Sequence, residues 1–117
     1  MNAKVAVLCW EESRPWVSEL RQNGYSVPWV EEPKGDTYKQ IPKVEPDLVL
    51  VDLTRRPDQG KAIAIGLAEN EALGEIPIVV VGKESAARGL KGRVKNLVLT
   101  NPGDMVTAVK SALSEKD

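Results

Sequence analysis

Short apolar runs alternate with longer amphipathic stretches along this chain of 117 residues. Four of the runs are continuously apolar, which is typical of strands that flanking helices bury on both faces. They cover residues 5–9, 48–51, 76–81 and 97–99. A weaker fifth run, residues 25–30, contains Pro28, which cannot donate a hydrogen bond to a neighbouring strand. The pattern therefore predicts five parallel strands, with the Pro28 strand at an edge.

The stretches between these runs have the spacing of helices. A cap at Ser13 and a stop at Gly24 bound the first predicted helix. The other predicted helices cover residues 37–44, 61–73, 85–90 and 104–113. Gly89 and Gly92 weaken the helix at 85–90, because glycine is an unfavourable helix former. We expect residues 114–117 to form a frayed end.

Five strand-helix units in succession predict an α/β fold: a three-layer, doubly wound parallel sheet of order 2-1-3-4-5. The chain length suits one compact domain over residues 1–117. In this fold the connections diverge beyond the carboxyl ends of the first and third strands, which leaves a crevice there. The sequence thus places a candidate site around residues 10–13 and 52–60.

Composition narrows the chemistry that such a site can perform. The 16 basic and 17 acidic residues give a net charge of -1, which does not favour nucleic acid or an anionic membrane surface as a partner. Cys9 is the only cysteine and there is no histidine, so an internal disulfide and histidine-dependent catalysis are excluded. The apolar runs are too short to span a membrane. We expect a cytoplasmic protein without a cofactor.

Two segments resemble the receiver domains of response regulators in two-component signal transduction. Residues 46–53, Pro-Asp-Leu-Val-Leu-Val-Asp-Leu, with Gly60 eight residues after Asp52, are similar to the third strand of that family and its following loop. Residues 76–81 resemble its fourth strand, and Pro102 resembles the proline after its fifth strand. The resemblance covers nearly the whole chain. It implies a flavodoxin-like fold with Asp52 at the phospho-acceptor position.

The same resemblance implies a metal site that this chain does not reproduce. Receiver domains hold magnesium with two acidic residues at the end of the first strand, whereas Cys9 and Trp10 occupy those positions here. Glu11 and Glu12 come one or two places later. Magnesium requires near-octahedral oxygen coordination, so only Glu11, with a rearranged loop, is a candidate replacement. We therefore predict no metal site.

Two further positions depart from the family pattern. Gly82 replaces the switch threonine or serine after the fourth strand, which removes a hydroxyl. Asn101 replaces the lysine after the fifth strand, which removes a charge that would pair with phosphoryl oxygens. Each lost donor aimed at developing charge typically costs about 10²- to 10³-fold in rate. Ordinary phosphotransfer to Asp52 is therefore not expected.

Basic residues near Asp52 leave two interpretations of this carboxylate. Arg55, Arg56 and Lys83 lie in the predicted crevice. In the first interpretation, Asp52 has a structural role and accepts hydrogen bonds from loop amides or pairs with one of these bases. In the second, the basic residues bind a small anion, assisted by helix N-termini.

The chain contains three tryptophans but no phenylalanine. We predict that Trp16 packs inward from the first helix. Trp10 and Trp29 lie near one rim of the predicted sheet, where they form either a contact surface or local packing. Cys9, at the end of a buried strand, is expected to be an inert thiol.

These observations favour a degenerate receiver, or pseudo-receiver: a non-enzymatic signalling module that contacts a protein partner or a second copy of itself. The resemblance implies that contact through the fourth helix, fifth strand and fifth helix of the family. One alternative is an atypical phosphorylatable receiver with Asp52 as acceptor. Another is a domain that binds a small anion or other small molecule at the carboxyl edge of the sheet. The fold alone does not choose among them.

Overall fold

The structure is a computed structural model that describes residues 3–8, 15–31, 37–54, 57–70, 75–85, 87–90, 92, 94 and 97–116. The strands in these residues are β1 (Lys4–Leu8), β2 (Ser26–Glu31), β3 (Leu48–Asp52), β4 (Ile78–Val81) and β5 (Leu97–Thr100). The α-helices are α1 (Pro15–Gln22), α2 (Thr37–Val44), α3 (Pro57–Glu69) and α4 (Met105–Lys116). A short 3-10 helix, Pro102–Asp104, leads directly into α4.

All five strands form one parallel sheet of order β2-β1-β3-β4-β5, which confirms the predicted topology. The edge position of β2 is also confirmed. Between Lys4 and Ala6 of β1, the paired residues of β2 advance from Ser26 to Trp29, so β2 contains one extra residue. Pro28 is exposed at this bulge. Because β2 is an edge strand, the missing N–H of Pro28 does not interrupt the hydrogen bonds between the central strands.

Two hydrophobic clusters cover the two faces of the sheet. On one face Val5, Val7, Leu50 and Val79 pack with α1 and α4. On the opposite face, the alternate strand residues pack with α2, α3 and residues 87–90: Ala6, Leu8, Val49, Val51, Ile78 and Val80. Trp16 of α1 is half-buried against the first of these clusters, as predicted. The central strands are thus buried on both faces.

The first helix ends where the sequence predicts. Gly24 has a φ of +90°, in the left-handed region that glycine enters readily. Its N–H donates to the carbonyl of Arg21 at 3.1 Å, and the N–H of Tyr25 donates to Leu20 at 3.1 Å. These two bonds form the Schellman arrangement that satisfies terminal carbonyls and turns the chain into β2. The predicted cap, Ser13, lies outside the described residues.

Three other predicted helix boundaries are wrong. α3 begins at Pro57, four residues before the predicted start, because proline fits the first turn of a helix and Asp58 favours its N-terminus. Residues 85 and 87–90 are not part of an α-helix; residues 84, 85 and 87–89 form turns, with Gly89 at φ +89°. α4 continues to Lys116, so Ser114 belongs to the helix and its hydroxyl donates to the carbonyl of Lys110.

No helix in the described part of the chain is long and apolar enough to cross a membrane.

Candidate functional site

The carboxyl ends of β3, β4 and β5 lie side by side. Asp52 pairs with Val81 in the parallel register, and Val81 pairs with Thr100. The ladder continues one residue further, because the N–H of Leu53 donates to Val81 at 2.8 Å and that of Gly82 donates to Thr100 at 2.9 Å. Three predicted site positions, 52, 82 and 101, therefore come together at one edge of the sheet.

Asp52 is the last residue of β3 and is fully buried, with 0% of its surface exposed. Two donors of Thr54 meet its Oδ1 atom: the backbone N–H at 2.7 Å and the Oγ1 hydroxyl at 2.6 Å. A carboxylate that accepts from the N–H two residues later forms an Asx-turn, which bends the chain sharply after the strand. A buried carboxylate needs such partners, because burial without hydrogen bonds is costly.

The contribution of Thr54 is absent from the sequence-based prediction. Its only signal in the sequence is the spacing Asp52-Leu53-Thr54, because aspartate bonds readily to the residue two places on. That spacing is common in surface turns, so it becomes informative only when the aspartate is known to be buried.

Leu53 lies between two glycines that pack directly against it. A Cβ atom at Gly60, in the first turn of α3, would lie 2.5 Å from Leu53 Cδ2 and 2.7 Å from the backbone oxygen of Asp52. A Cβ atom at Gly82 would lie 2.9 Å from Leu53 Cβ. Leu53 itself is 2% exposed. Position 82 therefore lacks a hydroxyl and, in addition, has no room for a side chain unless the end of β3 moves.

Asn101 follows β5 and caps the helix that comes next. Its Oδ1 accepts from the N–H of Asp104 at 3.0 Å, and its Nδ2 donates to Asp104 Oδ2 at 3.0 Å. The same N–H also donates to the backbone carbonyl of Asn101 at 3.1 Å, so the side chain adds a second acceptor at the start of the helix. The side chain of Asn101, at the position of the family lysine, is thus hydrogen-bonded to Asp104 at the start of the helix.

The other predicted site residues are placed only in part. Lys83 follows Gly82 and is exposed. Trp29 lies in β2, where its backbone pairs with Ala6. The remaining predicted site residues lie outside the described residues: Trp10, Glu11, Arg55 and Arg56. The same holds for Cys9 and Glu12.

A magnesium ion, which the resemblance implies, would need oxygen ligands from the groups around Asp52. In the described part of the chain, no group of three or more histidine, cysteine, aspartate or glutamate side chains could hold a metal ion. Oδ1 of Asp52 already accepts two hydrogen bonds from Thr54. Magnesium requires several oxygen ligands in octahedral array. The described residues alone do not fit this ion.

Two depressions flank β5. One, of about 690 Å³, lies between β5 and α4, and its lining includes Lys83, Leu99 and Ala108. The other, of about 400 Å³, lies beside the turns at 84, 85 and 87–89, and its lining includes Leu97 and Leu99. All three apolar residues are half-buried.

Comparison with solved structures supports the architecture. Similar folds occur in a protein from Chloroflexus aurantiacus assigned as a response regulator (19% identity, TM-score 0.71, covering 97% of this chain and 99% of that chain). The signal receiver domain of a modulated diguanylate cyclase from Desulfovibrio desulfuricans has 20% identity and a TM-score of 0.71. The match covers 99% of this chain and 97% of that chain. A LuxR-family two-component response regulator from Aurantimonas sp. has 21% identity and a TM-score of 0.70. The match covers 98% of this chain and 87% of that chain.

No protein-family model and no curated protein matches the sequence. The structural likeness, at identities of 19% to 21%, extends to the fold. This chain has the flavodoxin-like architecture of receiver domains.

Proposed function

We propose that this protein is a degenerate receiver: a non-enzymatic signalling module that does not undergo magnesium-dependent phosphorylation at Asp52. The observation that carries the proposal is the state of Asp52 itself. It is 0% exposed, and one of its carboxylate oxygens accepts both donors of Thr54. A carboxylate nucleophile must meet its donor at close range in the correct orientation, and the burial of Asp52 with the two hydrogen bonds to its Oδ1 opposes this approach.

The two neighbouring strand ends support the same proposal. Gly82 has no hydroxyl, and its close approach to Leu53 closes the position to larger residues. Asn101 has no charge, and its amide bonds to Asp104. Transition-state charge in phosphoryl transfer is stabilised by preorganised donors and cations. Gly82 and the Asn101 amide have structural roles instead.

The β5 side offers the surface through which we propose that the module contacts a protein partner or a second copy of itself. Leu99 and Ala108 are half-buried around a depression whose rim includes the exposed Lys83 and Ser111. Partly exposed apolar residues within a polar rim are typical of interaction surfaces. The described residues between β4 and β5 form turns at 84, 85 and 87–89 and contain no α-helix, so β5 and α4 would provide most of the contact.

The phosphorylation part of the proposal is tested by adding magnesium and beryllofluoride, a phosphoryl mimic, to 15N-labelled protein. We expect the amide signals of Asp52, Gly82 and Asn101 to remain unchanged, while a phosphorylatable receiver domain responds under the same conditions. Saturable shifts in the wild type that disappear in Asp52→Asn would instead establish an active receiver. Shifts with inorganic phosphate alone, accompanied by thermal stabilisation, would favour an anion-binding domain.

The interaction part is tested separately with two matched charge insertions. Ser111→Arg places a long cation at the rim of the depression, and Ser18→Arg places the same side chain on an exposed position of α1. Sedimentation measures self-association, and binding to a captured partner measures hetero-association. We expect Ser111→Arg alone to weaken the association. Equal effects of the two variants would contradict the proposed surface.

A further inference from the structure

We propose that Thr54 is an internal lock on Asp52: its hydroxyl and its backbone amide together hold one carboxylate oxygen, and Asp52 becomes more accessible when residue 54 moves away. This inference rests on the proposed function, because it explains how a retained aspartate is kept unreactive. It assigns to Thr54 a positioning role.

The geometry of the lock combines a buried acceptor with an exposed donor residue. Asp52 is 0% exposed, whereas Thr54 is exposed. The two bonds between them, at 2.7 and 2.6 Å, are short and end on the same atom, Oδ1. Hydrogen bonds to an ionised carboxylate are shorter and stronger than those between neutral groups. Both bonds come from one residue, so a single displacement of the turn breaks them together.

The hydroxyl that bonds to Asp52 does not come from the end of β4. Position 82, at the end of β4, is a glycine, and a Cβ there would lie 2.9 Å from Leu53 Cβ. The hydroxyl on Asp52 comes instead from the turn after β3 itself. A donor only two residues away is held close by the chain. Its contact with the carboxylate is therefore part of the folded turn and does not depend on movement of β4.

Closure of the turn is reinforced by its packing. Leu53, between the two hydrogen-bonded residues, is 2% exposed and lies against both Gly60 and Gly82. Displacement of residue 54 would disturb this close packing, so opening requires the loss of both hydrogen bonds and of apolar contact. The lock therefore couples access to Asp52 with the position of the first turn of α3.

Carboxyl labelling of the full chain tests this inference without a kinase or a metal ion. A water-soluble carbodiimide with an amine modifies accessible carboxyl groups, and mass spectrometry of peptides gives the labelling rate at Asp52. The exposed Asp58 serves as the internal reference. Thr54→Val keeps the branched shape and removes the hydroxyl, and Thr54→Ser keeps the hydroxyl and removes the methyl group. Thr54→Ala removes both.

We expect Thr54→Val and Thr54→Ala to raise the labelling rate at Asp52 relative to Asp58 by about tenfold to a hundredfold, as loss of a hydrogen bond to a charged group implies. Thr54→Ser should label like the wild type. Amide spectra establish that each variant is folded, and Thr54→Ala provides the test if Thr54→Val is not.

The opposite order, with Thr54→Ser labelled and Thr54→Val protected, would mean that the methyl group protects Asp52 by packing, and it would overturn the lock. Equal protection in all variants would overturn it as well. The two proposals fail in different ways. A wild-type response to beryllofluoride contradicts the degenerate receiver, whereas unchanged labelling in the variants contradicts the lock alone.

Discussion

The carboxyl end of β3 and the β5 side of the sheet differ in how completely their side chains are enclosed. At the end of β3, Asp52 and Leu53 are buried, and two glycines allow the backbone to approach closely. Along β5, Leu97 and Leu99 are half-buried beside turns where a helix was expected. Among the described residues the first is therefore a closed region, and the second is partly exposed.

The largest effect on stability is expected where the closed region is tightest. In Gly60→Ala the new methyl group would lie 2.7 Å from the Asp52 backbone oxygen, which cannot rotate away. Overpacking typically costs about 1 to 3 kcal/mol, and the gain of up to about 1 kcal/mol in helix propensity offsets part of this. We expect a net loss of about 2 kcal/mol in the free energy of unfolding, measured by urea denaturation.

Gly92→Ala is the matched control for this prediction. No atom lies within 4 Å of a Cβ built at Gly92, so we expect a change within about 0.5 kcal/mol. Similar losses in the two variants would show that the close packing around Leu53 is not what distinguishes Gly60.

A smaller loss is expected at the end of β4. A Cβ at Gly82 would lie 2.9 Å from Leu53 Cβ, and we expect Gly82→Ala to cost about 1 to 2 kcal/mol. Because the contact is with Cβ, Leu53→Ala leaves it in place and should not relieve the cost in a double mutant cycle. Gly82→Thr should be less stable still and should gain no response to beryllofluoride. Full stability of Gly82→Thr would contradict closure at this strand end.

The order of the sheet could be predicted because it follows from strong, repeated signals. Each central strand is an uninterrupted apolar run, and Pro28 marks the edge strand. Helix boundaries depend on weaker local terms. α3 begins at Pro57, four residues before the predicted start, and Gly89 and Gly92 favour turns over a marginal helix.

The candidate site could be predicted as a set of positions but not as a set of contacts. The resemblance to receiver domains indicates Asp52 at the end of the third strand and positions 82 and 101 after the next two strands. The hydrogen bonds of Asp52 with Thr54, and of Asn101 with Asp104, depend on side-chain directions that spacing alone does not determine. The close approach of Gly82 to Leu53 is likewise a contact between separate strands.

Asn101 provides a prediction of about 1 kcal/mol. Its Oδ1 accepts from Asp104 N–H at 3.0 Å, and replacement of such a cap by alanine typically costs about this amount. Asn101→Ala and Asn101→Lys should therefore both lower the thermal midpoint, because neither side chain offers an acceptor oxygen. Asn101→Ser should remain close to the wild type. Equal stability of Asn101→Lys and the wild type would mean that the cap contributes little and that a lysine at this position carries no stability cost.

The smallest effect is expected for substitution of Lys83. This substitution tests whether Lys83 is an ordinary surface charge or a charge partner of Asp52. Lys83 is exposed, and single exposed charges contribute little because water and salt screen them. Lys83→Ala should therefore change the free energy of unfolding by less than about 0.5 kcal/mol, and the change should not depend on whether position 52 is aspartate or asparagine. A double mutant cycle with Asp52→Asn measures this coupling directly. A coupling above about 1 kcal/mol would show that Lys83 balances the buried carboxylate, and the closed region would then extend to the end of β4.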